Sequence, residues 1–282
     1  MSSKAMSLKA KIRNIARKKG MSAQVVLQNY MFERFLERLS KTDYRDKFII
    51  KGGILIASIV GINNRATMDM DATIKNYPLN VESLSKAIDD ICSVKIDDNV
   101  KFSFRNIEPI REDDIYGGFK VSVRADFDTI IVPMQIDITA GDAITPEEKF
   151  YKFKMIFSDS TIGVWTYNIE TVLAEKYETI LRRSEFNTRP RDFYDIYVLT
   201  KTQDYSGELF ADAVKNTSIK RGTTHIFTEL DKRIDSINKS EDLKKQWNKY
   251  SKNYQYAKEI IYKDVINAIR ELTLHIDYTA GK

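Results

Sequence analysis

Asp69 and Asp71 stand two residues apart in Thr67-Met68-Asp69-Met70-Asp71-Ala72-Thr73-Ile74, where Met68, Met70 and Ala72 alternate with Asp69, Asp71 and Thr73. Period-two alternation predicts a half-buried strand with both carboxylates on its polar face, close enough to share a divalent cation. A third carboxylate, Asp137, sits in Gln135-Ile136-Asp137-Ile138, which predicts a second alternating strand. Upstream, Phe48-Ile49-Ile50-Lys51 runs into Gly52-Gly53 and then Ile54-Leu55. Glycines at a strand-to-helix turn let phosphates approach backbone N–H groups at a helix N-terminus. A glycine pair, an Asp-x-Asp and a later strand Asp together suit metal-assisted phosphoryl or nucleotidyl transfer, in which a protein positions reactants and neutralises charge. The plain alternative is that all three are solvated aspartates on exposed strand faces, and that the glycines make a tight turn with no ligand. Aspartate is disfavoured in strands, so three in two strands favour the metal reading.

The rest of the chain narrows the chemistry. Only two histidines occur, His225 and His275, and one cysteine, Cys92. The single cysteine excludes an internal disulfide framework, the two histidines argue against a His-rich zinc site, and any metal is expected to be a hard, oxygen-liganded ion, Mg²⁺ or Mn²⁺. Residues 1–19 are basic but lack the apolar core of a signal peptide, and the most apolar stretch, 48–62, is interrupted by Lys51, Gly52 and Gly53. These features predict a cytoplasmic protein with no membrane span. With 43% hydrophobic residues, the 282-residue chain can bury a substantial core, and a net charge of +5 tolerates a polyanionic partner without requiring one.

Certain elements must position these residues. The first forty residues predict helix, with Ser22 as a cap and Leu27, Met31, Phe35 and Leu39 on one face. From Lys47 to Lys154 the pattern is mixed: a short strand before the glycines, a helix to about Ile59, and the Asp-x-Asp strand. A helix with Leu84, Ala87, Ile88 and Ile91 follows, then strands around Phe102/Phe104, Phe119/Val121/Val123 and Ile136/Ile138. Beyond Trp165 the strand signals nearly vanish, and Val265, Ile269 and Leu272 mark a final helix. The expected class is α+β, with N-terminal helices and a catalytic core over 1–160 and a helical lobe over 161–282.

That lobe carries a second constellation. Asn168 can cap a helix whose apolar face holds Ile169, Val172, Leu173, Tyr177 and Ile180, with Lys176 inside the same arc. A lysine there needs a partner or a ligand. Pro190 suits the first turn of another helix, on which Asp192 shares an arc with Phe193, Ile196 and Leu199. Two readings of Lys176 and Asp192 are compatible: a buried salt bridge, or presentation to the nucleotide, with Asp195 an alternative functional acid. Lys51 and Arg65 add positive charge that phosphates could use. Arg182, Arg183, Arg189, Arg191, Lys244, Lys245 and Lys249 suit a polyanionic acceptor, although solvated surface charge explains them nearly as well.

Taken as an ordered set, Lys51-Gly52-Gly53-Ile54-Leu55, Arg65-Ala66-Thr67-Met68-Asp69-Met70-Asp71, Gln135-Ile136-Asp137-Ile138, Leu173-Ala174-Glu175-Lys176 and Arg191-Asp192-Phe193-Tyr194-Asp195 resemble the AbiEii/AbiGii family of nucleotidyltransferase toxins. The resemblance implies a DNA polymerase β-like nucleotidyltransferase core followed by a helical lobe. It implies Asp69, Asp71, Asp137, Lys176 and Asp192 as catalytic residues, with the first three as metal ligands. Lys51, Gly52, Gly53, Arg65, Thr67 and Lys176 would bind the NTP donor, with GTP among the candidates. It further implies RNA, above all tRNA, as acceptor, and an abortive-infection toxin–antitoxin system of phage defence whose cognate antitoxin is encoded alongside and need not bind stably. Many nucleotidyltransferases have Gly-Ser where this chain has Gly52-Gly53, so a serine contact to phosphate is missing unless Thr67 or Ser58 replaces it. The alternatives are a nucleotidyltransferase acting on a protein or small molecule, and a non-catalytic nucleotide-binding module.

Overall fold

A computed structural model describes residues 2–110 and 117–276, and the chain divides into two compact units. The first comprises Met1–Gly141 and Lys149–Thr166; the second comprises Asp142–Glu148 and Tyr167–Lys282. By contacts the first unit runs to Thr166, and residues 142–148 go with the helical unit.

The first unit opens with two helices over the forty residues that the sequence predicts to be helical, the second beginning at the predicted Ser22 cap. Helix α1 (Ser3–Lys19) ends at Gly20, whose φ of 63° is the left-handed conformation glycine adopts at low cost. Ser22 caps α2 (Ala23–Leu39), its side chain accepting from the Val25 N–H at 3.2 Å. Strand β1 (Phe48–Lys51) leads directly into α3 (Gly52–Val60), followed by β2 (Met70–Ile74) and α4 (Val81–Ser93). Strands β3 (Val100–Pro109), β4 (Gly118–Phe127), β5 (Ile130–Ala140), β6 (Lys149–Lys154) and β7 (Thr161–Thr166) complete a seven-stranded mixed sheet of order β3-β4-β5-β2-β1-β7-β6.

One face of this sheet is the core. Phe48, Ile50, Met70, Ala72, Ile74, Val121, Val123, Met134, Ile136, Ile138, Phe153, Ile162 and Val164 pack with Phe32, Phe35 and Leu36 of α2 and Leu84, Ala87, Ile88 and Ile91 of α4. Removing this apolar area from water drives the fold, at roughly 25 cal/mol per Å². Arg38 clamps α2 to the start of β3 through paired bonds to Asp98 at 2.8 and 2.9 Å and one to the Val100 carbonyl at 2.7 Å. The alternating partners of these core residues occupy the other face.

Two strands, β6 and β7, were not expected. Lys149-Phe150-Tyr151-Lys152-Phe153-Lys154 exposes four of its six residues, so little apolar alternation betrays it. It forms an edge strand held by antiparallel pairing with β7.

The second unit is helical in its regular elements: α5 (Ile169–Arg183), α6 (Pro190–Thr202), α7 (Gly207–Lys220), α8 (Leu230–Lys239), α9 (Glu241–Asn253) and α10 (Tyr262–Thr273). Asn168 caps α5, accepting from the Thr171 N–H at 2.7 Å, and Pro190 opens α6. Helix α5 packs on α6 and α7, and α10 packs on α6, burying Leu173, Tyr177, Ile180, Ile196, Leu199, Phe210, Val265, Ile269 and Leu272. Among the described residues, no helix is long and apolar enough to cross a membrane.

Candidate active site

Across four adjacent strands, Lys51 of β1 is the register partner of Asp71 of β2, Asp71 of Asp137 of β5, and Asp137 of Lys120 of β4. Register partners in a sheet project to the same face. The result is a transverse row, Lys51–Asp71–Asp137–Lys120, on the face opposite the core, and all four side chains are half-buried or partly open. Two carboxylates are adjacent and flanked on each side by an ammonium. The Lys120 Nζ lies 2.5 Å from Asp137 Oδ1, and the Lys51 Nζ donates to Thr139 Oγ1 at 2.9 Å across the intervening strand.

Asp69 departs from expectation. Strand β2 begins at Met70, so Asp69 lies in the exposed approach to it rather than on the strand beside Asp71. The alternation extends one residue pair further than the pairing does, because β1 ends at Lys51, opposite Asp71, and turns into α3.

The glycine pair adjoins this row. Gly52 has φ of 64°, and a Cβ placed on it would collide with Oδ2 of Asp71; only a glycine lets this carboxylate lie against the turn. A Cβ on Gly53 would stand 2.6 Å from Thr67 Oγ1 and 3.4 Å from Arg65 Nη2. The Thr67 hydroxyl therefore occupies the space next to Gly53 that a serine side chain at that position would enter. The N-cap residue of α3, Lys51, makes no side-chain cap bond, and the positive end of the helix dipole lies at the Gly52–Gly53 turn. Arg65 is 1% exposed and donates to the Ala66 carbonyl, so it braces the 65–67 segment from within.

Sequence reasoning missed three contributors. Lys120 and Thr139 are ordinary strand residues until pairing aligns them with the carboxylates. Asn29 of α2, 2% exposed, donates to the Thr67 carbonyl at 3.0 Å and to Val25 O at 2.8 Å, tying the glycine-facing segment to the core helices. Its apolar surroundings gave no signal of that tether.

Among the described residues, no three His, Cys, Asp or Glu side chains gather as a ligand set for a metal ion. Asp71 and Asp137 supply adjacent, hard oxygen donors, and the side-chain-free surface of Gly52 leaves Asp71 room beside the helix N-terminus. That pair fits a Mg²⁺-type ion. Asp69 is near in sequence but outside the strand.

In the second unit, Lys176 is shared by two acids on α6, at 2.5 Å from Asp192 Oδ1 and 3.2 Å from Asp195 Oδ2. The side chains of Asp195, Asp192 and Lys176 are 0%, 6% and 20% exposed, so this is a buried ion pair of the kind the helix arcs predict, with Asp195 as an added member. Nearby, Arg221 bonds Glu178 at 2.5 Å and Glu175 at 2.9 Å. Burial works against the Arg221 charge, yet the two glutamates outweigh it and hold its pKa above the ordinary arginine range. Arg182 is also engaged, at 3.0 Å from the fully buried Glu178, and Lys244 and Lys245 pair with Glu241 and Asp242. These three cations are thus less available to a polyanion than their sequence suggests.

Comparison with solved structures finds a candidate nucleotidyltransferase from H. pylori at TM-score 0.50 and 15% identity, covering 89% of this chain and 96% of that one. The JHP933 protein from Helicobacter pylori matches at TM-score 0.50 and 16% identity, covering 90% of each chain. These likenesses establish the fold as an α+β nucleotidyltransferase core. Comparison with curated protein sequences finds no match. The family described as "Nucleotidyl transferase AbiEii toxin, Type IV TA system" matches residues 34–269. With that match spanning most of its length, the chain belongs to the AbiEii family of nucleotidyl transferase toxins of type IV toxin–antitoxin systems.

Proposed function

We propose that this protein transfers a nucleotide from an NTP to RNA, with the 3′ end of tRNA as the leading acceptor, and thereby arrests growth. The observation that carries this reading is the Lys51–Asp71–Asp137–Lys120 row beside the Gly52–Gly53 turn. The triphosphate would approach the N-terminus of α3, where the glycines expose backbone N–H groups and Lys51 adds charge. Thr67, held by Asn29, takes the position of the absent serine, and Arg65 supports it. Asp71 and Asp137, joined by Asp69 on the approach to β2, would hold Mg²⁺ or Mn²⁺. Such an ion, when bound, neutralises phosphate charge and favours the deprotonated acceptor hydroxyl. In the transfer, the acceptor oxygen bonds to the α-phosphorus as the bond to pyrophosphate breaks. In this reading Lys176 is a nucleotide contact and Asp192 a catalytic acid, with Asp195 as the alternative acid. The family implies a cognate antitoxin encoded alongside, and NTP and tRNA are both cytoplasmic.

The test supplies each labelled NTP with Mg²⁺ and, separately, RNA, total protein or aminoglycosides. Label on RNA, lost with EDTA, supports the proposal. Label on protein or a small molecule alone sinks the RNA acceptor and leaves the nucleotidyltransferase.

A further inference from the structure

The carboxylate row occupies only part of the sheet face opposite the core. Register carries the same face outward from β1: Ile49 pairs with Trp165 of β7, and Trp165 pairs with Phe150 of the edge strand β6. Phe150, Lys152 and Lys154 alternate along β6, so all three project to the side that bears Asp71 and Asp137. Phe150 is 46% exposed, although a phenylalanine on a sheet can usually be buried. Its ring is held in place. It meets Trp165 edge-on, with centroids 5.5 Å apart, and lies against Gly163, where any Cβ would collide with it. The Trp165 indole donates to Asp46 at 2.9 Å, and that carboxylate is neutralised by Arg45 at 3.0 Å. Lys152 and Lys154 are exposed and make no ion pair among the described residues.

We propose that this β6–β7 end of the face is a stacking platform for unpaired bases of a single-stranded RNA acceptor, with Lys152 and Lys154 on its phosphates. This rests on the RNA-acceptor reading above. Every base has a π-face that an aromatic ring can receive, and lysines alongside follow the backbone without reading sequence. Three strand spacings, roughly 14 Å, separate Phe150 from the strand of Asp71, a span of a few nucleotides, although Ile49 and Thr73 between them on this face are buried. Lysines on an edge strand also discourage strand-to-strand aggregation, but that role gives no reason for an exposed, braced phenylalanine.

The test measures binding of a short labelled single-stranded RNA to the full chain across a salt series, for wild type, Phe150→Ala, Phe150→Tyr and the double variant Lys152→Gln/Lys154→Gln. Melting temperature and gel filtration report folding and aggregation, and NTP affinity is measured in parallel. Phe150→Ala should bind RNA about tenfold more weakly, and Phe150→Tyr, which keeps a stacking ring, should bind like wild type. The lysine variant should show a salt slope shallower by about 0.7 per lysine removed. NTP affinity should be unchanged in all of them. Wild-type binding and labelling of RNA with no effect of these substitutions would overturn the platform and leave the acceptor reading standing. Wild type that neither binds nor labels RNA overturns both. Unchanged RNA binding with aggregation of the lysine variant assigns the lysines to edge protection and also overturns the platform.

Discussion

Asp71 and Asp137 are register partners on the parallel strands β2 and β5, although sixty-odd residues of sequence that include a helix and two other strands separate them. Parallel neighbours need a long crossover, so their pairing is a product of topology. It places two like charges side by side on one face, an arrangement that costs stability unless cations attend it. Lys51 and Lys120 flank the pair, and in the proposed function a divalent ion would be the further cation.

Asp71→Asn and Asp137→Asn should each lower nucleotide transfer about a hundredfold or more, because metal stabilisation of phosphate charge contributes several kcal/mol. Both side chains are half-exposed, so circular dichroism and the melting temperature should stay near wild type. Transfer at the wild-type rate in a folded Asp71→Asn protein would remove this row from the mechanism.

Gly52→Ala should destabilise the fold by at least about 1–2 kcal/mol, since an L-residue at φ of 64° is strained and the new methyl meets the Asp71 carboxylate. Urea denaturation measures it. A stability equal to wild type would mean that Asp71 does not lie against the turn.

Gly53→Ser should impair NTP binding alone yet be rescued by Thr67→Ala, because the serine side chain would enter space now held by the Thr67 hydroxyl. A double-mutant cycle should give a coupling of about 0.5–3 kcal/mol. Simple additivity would show that the two positions do not share that space.

Lys176→Met should destabilise the helical unit by about 3–5 kcal/mol, because Asp192 and Asp195 would be left buried without their shared cation. A large loss of melting temperature is therefore expected, and NTP affinity must be measured well below the new midpoint. Weakened affinity there supports a nucleotide role; unaltered affinity makes the ion pair purely structural.

Burial pushes the Cys92 thiol up to about 12 from 9.0, with the Asp89 charge adding to the rise. At pH 7 the thiolate fraction is then about one in 10⁵, so native protein should react with a thiol reagent far more slowly than an exposed cysteine does. With the folded pKa above the unfolded one, the stabilising contribution of the neutral thiol is present below pH 9 and is lost as pH rises toward 12. Rapid stoichiometric labelling at pH 7 would refute the burial.

Local physics wrote some of this protein into its sequence. The caps Ser22 and Asn168, the first-turn Pro190, the apolar faces of α4 and α10, and the alternation around Asp71 and Asp137 all depend on neighbours a few residues away, and all appear as expected. Lys176 within an apolar arc likewise announced a buried partner. Strand pairing is not local, and what depended on it was hidden. Asp69 falls outside β2 because β1 ends at Lys51; Lys120 and Thr139 join the site only through register; and the edge strand β6 exists because β7 pairs with it. The hydrogen bonds that define a sheet lie between segments, and a sequence records each segment's periodicity without naming its partner.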